Sequence, residues 1–451
     1  MDNKTLYGTS VHNEKYIRTK DPTHLLLRNF SKTEVIGIDD TCLFQHVLFL
    51  GGSGNGKTNV ISQVLGQLRR WEQDPYTPND GVYLIFDTKA DFYEHSNFFK
   101  SNDYIIGNSK RFRKQSEVWN VFEEIMADGN DPQDYENNAD EISNQLFIGR
   151  GSATQPFFAD TAKLIFKNTL IYFVRRHRDN YSQWHDKLNN KFLRDFLLGN
   201  TPDKLAEYFS LYDDLKGIKT YFGVGENNQA AGILAELRGM LENNFKGVFA
   251  LAPPQGQKGF SIRKAVREKN GKAIFIEYDL STGQSLSPMY SLLVDLALKE
   301  ALSENANGRT HLILDELKLL PKISHLDDAL NFGRSKKVSV IAGLQSTNQI
   351  YASYGKEQGQ VILGGFGSVI AFRTPDHESR DYIVKLFGPN VTAYRYYDPS
   401  NKPLDRERAG NTVEHWDIQK LKRGQAIVGL ASQEAPFIFH FERDPYRESN
   451  I

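Results

Sequence analysis

The sequence predicts an α/β fold built on a mainly parallel sheet with helices on both faces, interrupted by an inserted all-α domain. Three observations carry this. A short apolar run, a glycine cluster and a helical pattern follow one another in 46-HVLFLGGSGNGKTNVISQVLGQL-68, where Val60, Ile61, Val64, Leu65 and Leu68 have helical spacing. Further β-branched or aliphatic runs occur at 82–86, 273–278, 311–314, 338–344, 368–372 and 425–429, most of them separated by helix-length segments. From about 140 to 255 the pattern changes to long helical stretches, such as 157-FFADTAKLIFKNTLIYFVRRHRD-179 and 230-AAGILAELRGMLENNF-245, without a strand signal.

At 451 residues the chain has room for two or three domains, and 39% hydrophobic with 25% charged residues is ordinary globular usage. The expected division is a nucleotide-binding unit over 1–140, the all-α insertion over 141–254, and the second part of the first unit over 255–451. The stretch 252-APPQGQKG-259 reads as the return linker and 150-RGSATQP-156 as a loop near the entry; 13–24 and 398–411 are polar enough for mobile loops. Lys plus Arg (55) nearly cancels Asp plus Glu (56), so any nucleic-acid contact has to be local. The single cysteine, Cys42, excludes an intramolecular disulfide and a Cys-only zinc cluster, and suits the reducing cytoplasm. No run approaches the length of a spanning helix and the start MDNKTLYGTS has no signal-peptide core. Work at a membrane is expected from outside the bilayer.

The residues 51-GGSGNGKT-58 match G-x-x-x-x-G-K-S/T in full, and a strand before and a helix after supply the required context. Gly51, Gly52, Ser53, Gly54, Asn55 and Gly56 form a loop whose backbone N–H groups turn inward on phosphate oxygens, with the positive end of the helix behind them. Lys57 then reaches the β and γ phosphates, and the Thr58 hydroxyl ligates Mg²⁺. Such a loop needs a strand that ends in acid, and 311-HLILDELKLL-320 supplies it. Asp315 is expected to hold the metal through its water shell and Glu316 to deprotonate the attacking water. The cofactors this implies are ATP and Mg²⁺.

From Lys57 to Asp315 the chain runs far longer than a bare nucleotide-binding core needs, and the helical segment accounts for the excess. Gln345, ending the next strand, is placed to sense the γ phosphate or the water. Arg334, in 333-GRSKK-337, either complements a helix's carbonyl end or reaches a neighbouring subunit's nucleotide as an arginine finger. Asp87 either lines the same sheet edge or caps a turn.

The segment 315-DELKLLPKISHLDDALNFGRSKKVSVIAGLQSTNQI-350 resembles conjugative coupling proteins, the ATPases of type IV secretion and plasmid transfer. It joins an acid pair, a helix ending in Gly-Arg and a strand ending in Ala-Gly-Leu-Gln-Ser, in that order. The stretches 6–17, 118-VWNVFEEI-125 and 412–428 also look like the family's segments, so the resemblance spans most of the chain. It implies a RecA-like core of the FtsK/HerA type plus an all-α domain, working as a homo-hexameric ring. By position it implies Lys57 and Thr58 as the P-loop pair, Asp315 and Glu316 as the Walker B pair, Gln345 as sensor and Arg334 as finger. It further implies DNA held by non-specific backbone contacts, a relaxase or effector cargo, and a membrane channel. Typical members carry an N-terminal membrane anchor and none is read here, so either the sequence starts after the anchor or this is a soluble member, cytoplasmic or peripheral at the inner face of the cell membrane, that meets a separate membrane-anchor protein.

Basic stretches at 174–179, 257–269 and 420–424 are candidates for phosphate contacts in a ring channel, with a solvated face as the plainer reading. Phe157, Phe158, Tyr172 and Phe173 read as core by spacing rather than as base-stacking residues. Two further functions stay open at this level: a cytoplasmic DNA translocase for packaging, repair or defence, and a substrate receptor in which nucleotide is structural.

Overall fold

In the computed structural model, nine strands form one sheet, and the residues described are 3–11, 25–71, 80–94, 98–150, 156–222, 228–397, 399–400 and 402–444. The strands are β1 (Val47–Leu50), β2 (Gly81–Asp87), β3 (Tyr104–Gly107), β4 (Lys272–Glu277), β5 (Arg309–Leu314), β6 (Val338–Leu344), β7 (Ser368–Phe372), β8 (Gln425–Gly429) and β9 (Phe437–His440). Their order is β9-β8-β7-β1-β6-β5-β2-β4-β3, parallel from β7 to β3, with β8 and β9 added antiparallel at one edge. The sheet is mixed but mostly parallel, as the unalternated apolar runs require. Leu48, Leu50, Val82, Leu84 and Phe86 join the core on one face, while Val47, Phe49, Tyr83 and Ile85 join a second core on the other. A strand buried on both sides has no polar face to show in its sequence.

Helix α1 (Lys57–Trp71) buries Val60, Ile61, Val64, Leu65 and Leu68 against the second core, the face its spacing predicts. Between β3 and β4 the described chain is helical, including α2 (Pro132–Leu146), α3 (Phe157–Asp179) and α4 (Asn228–Asn244); α5 (Gly283–Leu302) then links β4 to β5. The helical run begins at Val121–Ile125, ahead of residue 141. Its apolar residues belong to the same cluster as the first face of the sheet, where Phe122 stacks on Phe173 at 5.4 Å. A rigid connection between sheet and helices follows, because close-packed interiors transmit displacement.

The Trp-Asn stretch marks where the chain leaves and re-enters the sheet. The buried Glu124 carboxylate accepts from Trp119 Nε1 (2.8 Å), Ser261 Oγ (2.8 Å) and the backbone N–H groups of Ile262 (2.6 Å) and Arg263 (3.2 Å). Asn120 caps Val121–Ile125 and donates to Leu188 O at 2.8 Å. Entry, exit and insertion are thus bonded into one junction.

Three expectations change. Residues Pro403–Asn411 form a strand, not a loop, paired antiparallel with Pro389–Tyr397, which also pairs with Asn3–Tyr7. Phe157 is exposed, while Tyr172 and Phe173 are core and Phe158 is half-buried. Two of the basic stretches are largely committed to acids rather than free for phosphate. Arg175 pairs with Glu136 and Asp214, and Arg263 and Arg267 pair with Asp128 and Glu300. The loop read at 13–24 lies outside the described residues, as does most of the one read at 150–156.

Candidate functional site

The sheet order itself assembles the site. Strand β6 lies between β1, which feeds the glycine loop, and β5, which ends at Asp315, so the three carboxyl ends stand side by side. In a parallel sheet this is the edge where ligands bind. The loop is pinned from three sides: Gly51 N–H donates to Leu344 O, Gly52 N–H to Arg373 O, and Gly424 N–H to Asn55 O, each at 3.0 Å. Asn55 Nδ2 adds a bond to Arg373 O at 2.8 Å. Gly51 and Gly56 have φ of 154° and 119°, and a side chain on either would run into Phe372. The loop therefore needs glycine for space as well as for backbone angle. Ser53 and Gly54 sit at its exposed tip.

Lys57 is buried and folds its ammonium onto the loop, donating to Gly51 O at 2.7 Å. Burial pushes its pKa down, and the nearby Glu316 and Asp315 carboxylates work against that. Thr58 Oγ1 donates to Asp315, 3.0 Å from each carboxylate oxygen, which brings together residues 257 positions apart. Gln345 Nε2 donates to Glu316 Oε2 at 2.7 Å, and Glu316 Oε1 is a buried atom without a hydrogen-bond partner. Lys57, Thr58, Asp315, Glu316 and Gln345 thus stand together at the carboxyl edge of the sheet. Thr58 and Asp315 offer the hard oxygen donors Mg²⁺ takes, Lys57 offers charge to a phosphate, and Glu316 offers a carboxylate with a free oxygen to a water.

Arg334 is placed elsewhere. It is exposed just before β6, at the amino end of the sheet, and its guanidinium has no partner among the described residues. The seven residues of β6, at roughly 3.3 Å each, put about 20 Å between it and Gln345. It cannot reach Lys57, Thr58, Asp315, Glu316 or Gln345 of its own chain. Asp87 caps a turn: its carboxylate accepts from the backbone N–H groups of Lys89, Asp91, Phe92 and Tyr93. It also borders the site, because its charge acts on Asp315. Beside it in register is Glu277, whose carboxyl is pushed up to about 9 by burial and by Asp87.

Asp315 has its pKa pushed up to about 6, by burial first, with Glu316 and Asp87 adding to it and Thr58 and Lys57 opposing. Metal binding needs the ionised form, so Mg²⁺–nucleotide affinity is expected to be level above pH 6 and to fall up to about tenfold per unit below it. The stability contribution runs the other way. Folded Asp315 keeps a proton that the unfolded chain releases near 3.8, so this term favours the nucleotide-free fold at low pH and is lost as pH rises through 6. Titrating Mg²⁺–ADP against pH checks this, and Asp315→Asn should abolish the step.

A family model for the DNA-binding domain of type IV secretion-system coupling proteins matches residues 35–395. The chain belongs to this coupling-protein family. Among solved structures, the chain is similar to the bacterial conjugative coupling protein TrwBdeltaN70 in its unbound monoclinic form, with a TM-score of 0.72 and 22% identity over 94% of this chain and 90% of that one. The plasmid coupling protein TrwB in complex with ADP and Mg²⁺ gives 0.71 and 20% identity, covering 97% and 94%. VirB4 of Thermoanaerobacter pseudethanolicus is more distant, at 0.52 and 14% identity over 98% of this chain and 100% of that one. These likenesses establish the fold, a RecA-like α/β core with associated helices. No curated protein matches the sequence. Among the described residues no helix is long and apolar enough to cross a membrane.

Sequence reasoning missed the backbone supports of this coupling-protein site. Arg373 and Gly424 act through main-chain atoms, which leave no side-chain signature. Gly343 lies inside an apolar strand and gives no turn signal, yet it is where β6 passes closest to Asp315.

Proposed function

We propose that this member of the coupling-protein family is a Mg²⁺-dependent ATPase that couples hydrolysis between neighbouring subunits to the recruitment or movement of DNA substrate in conjugation or type IV secretion. The observation that carries the reading is the meeting of the P-loop pair and the acid pair at one sheet edge, with Gln345 bonded to Glu316. A nucleotide with a purely structural role needs no polarised carboxylate at its terminal phosphate, so the receptor reading is the weaker one. Thr58 and Asp315 would hold Mg²⁺, which would supply charge against the phosphates; Lys57 offsets phosphate charge, Glu316 takes the proton of the attacking water, and Gln345 orients Glu316. The TrwB complex with ADP and Mg²⁺ supports the cofactor pair.

Arg334 would complete a neighbour's site in a ring of six, because it lies at the opposite end of the sheet from its own chain's acid pair and Gln345. DNA would be held by backbone contacts, with a relaxase or effector as cargo. Contact with a channel or an anchor protein at the inner face of the membrane completes the assignment. Turnover measured against protein concentration, with and without DNA, tests the motor: activity should rise with assembly and with DNA. Rates unmoved by either would sink it. Lys57→Ala and Arg334→Ala should each be inactive alone, yet mixed in equal amounts should recover about a quarter of wild-type turnover. Half the P-loops would be intact and half of those would face an intact arginine. No recovery would remove Arg334 from the site.

A further inference from the structure

Away from the P-loop and the acid pair, three segments distant in sequence bring titratable side chains to one point. Glu141 comes from α2, Asp295 from α5, and His325 stands just ahead of the helix Leu326–Phe332. One ligating atom of each lies within 4.8 Å of the other two. His325 Nδ1 is 3.2 Å from Asp295 Oδ1 and Nε2 is 3.7 Å from Glu141 Oε1. His325 Nδ1, Asp295 Oδ2 and Glu141 Oε1 are nonetheless all buried without a hydrogen-bond partner, and the Asp295 side chain is only 1% exposed. The other two carboxylate oxygens of the group are accounted for. Asp295 Oδ1 accepts from the His325 N–H at 2.8 Å, and the second Glu141 oxygen accepts from Lys299, which also donates to Asn138 Oδ1 at 2.9 Å.

Buried polar atoms without partners are costly, so several gathered in one small cluster call for an occupant. With a neutral imidazole, two carboxylates and one ammonium leave the group at net −1, which favours a cation. An imidazole with two carboxylates is a set that suits Zn²⁺ and its relatives, whereas Mg²⁺ and Ca²⁺ prefer oxygen alone. A solvent-open cleft lined by Gln145, Lys322 and Ser324 borders the cluster at Glu141.

We propose that Glu141, Asp295 and His325 form a binding site for a divalent transition-metal ion of the zinc class. The ion would clamp the segment that carries Glu316 to the helices. His325 follows Glu316 by nine residues, and the stretch between is already tied at several points. Lys322 O accepts from Gln145 of α2 at 2.7 Å, Ser324 Oγ donates to the same Gln145 at 2.9 Å, and Pro321 O accepts from Ser291 of α5 at 3.1 Å. A metal would fix this strap from both helices at once and so restrain the acid that meets the water. The rival occupant is a proton. Burial lowers the pKa of His325, but the Asp295 carboxylate beside it and the charge of Glu141 outweigh that and hold it above the ordinary value.

The test uses the full chain, stripped with chelator and free of nucleotide, titrated with Co²⁺ and then with Zn²⁺. The expected result is a single equivalent of Co²⁺ with a visible ligand-field band that Zn²⁺ abolishes, and a Zn²⁺-dependent rise in melting temperature. Both should weaken at least tenfold in His325→Ala and in Asp295→Asn. Both should persist in Asp315→Asn, which separates this site from the nucleotide's metal. If Asp295→Asn fails to fold, His325→Gln serves in its place. Absence of the band, or the same band in the His325 variant, overturns the proposal and leaves a water or a protonated imidazole in the cluster. The binding arm is independent of whether the chain hydrolyses ATP.

Discussion

Glu316→Gln is expected to lower ATP turnover by about 10²–10⁴-fold while leaving nucleotide affinity within a few-fold of wild type. The amide is nearly isosteric with the carboxylate. Gln345 Nε2, now 2.7 Å from Glu316 Oε2, can still donate to an amide oxygen there, so the local geometry should hold. What is lost is the ability to accept a proton at the unpartnered Oε1. Binding is spared because phosphate charge is met by Lys57 and by the metal at Thr58 and Asp315, none of which changes. Phosphate release under saturating ATP, with titration by a non-hydrolysable analogue, separates the two effects. Turnover within tenfold of wild type would assign water activation to another group. The pairing of Glu316 with Gln345 also explains why the amide belongs at the end of β6: that strand stands between the acid's strand and the loop's.

What the sequence disclosed and what it hid follow a physical division. Placements set by side chains at fixed spacing were legible: the loop of Gly51, Gly56, Lys57 and Thr58 from its motif, and Asp315 and Glu316 from their place at a strand end, which the fold brings beside that loop. The central strands were legible because burial on both faces leaves unbroken apolar runs. The strand β3, four residues long, and β9 at the edge were too short to stand out. The pair Pro389–Tyr397 and Pro403–Asn411 lies in a separate small sheet, with Arg406, Glu407 and Arg408 exposed, so its residues carry no core pattern. Charge partners were hidden for a different reason. Arg175 meets Glu136 from another helix and Asp214 from a turn, and only the tertiary fold can show that a basic stretch is already paired. The Glu141, Asp295 and His325 group, scattered over 184 positions, has no spacing to betray it.

The hidden glycine yields the second large effect. Gly343→Ala is expected to destabilise the fold by about 1–3 kcal/mol and to weaken Mg²⁺–nucleotide binding at least tenfold. A methyl group there would stand 2.1 Å from the Asp315 carbonyl oxygen and 2.9 Å from its carbonyl carbon. The φ of Gly343 is not in the left-handed region, so any residue could adopt its backbone; space alone forbids one. Both atoms in the way are main chain, which cannot swing aside as a long side chain could. Strands β5 and β6 would have to part where Asp315 is delivered to Thr58, lengthening the two 3.0 Å contacts between the residues proposed to hold the metal. Gln345, two residues on and just past the end of β6, would be carried off Glu316 in the same movement. Gly364→Ala is the matching control, since an added methyl there meets nothing within 4 Å and the residue ends the helix Lys356–Gly364. Urea unfolding with Mg²⁺–ADP titration of both variants reads the difference. Wild-type affinity and midpoint in Gly343→Ala would show that the acid pair is positioned by something other than this close approach of two strands.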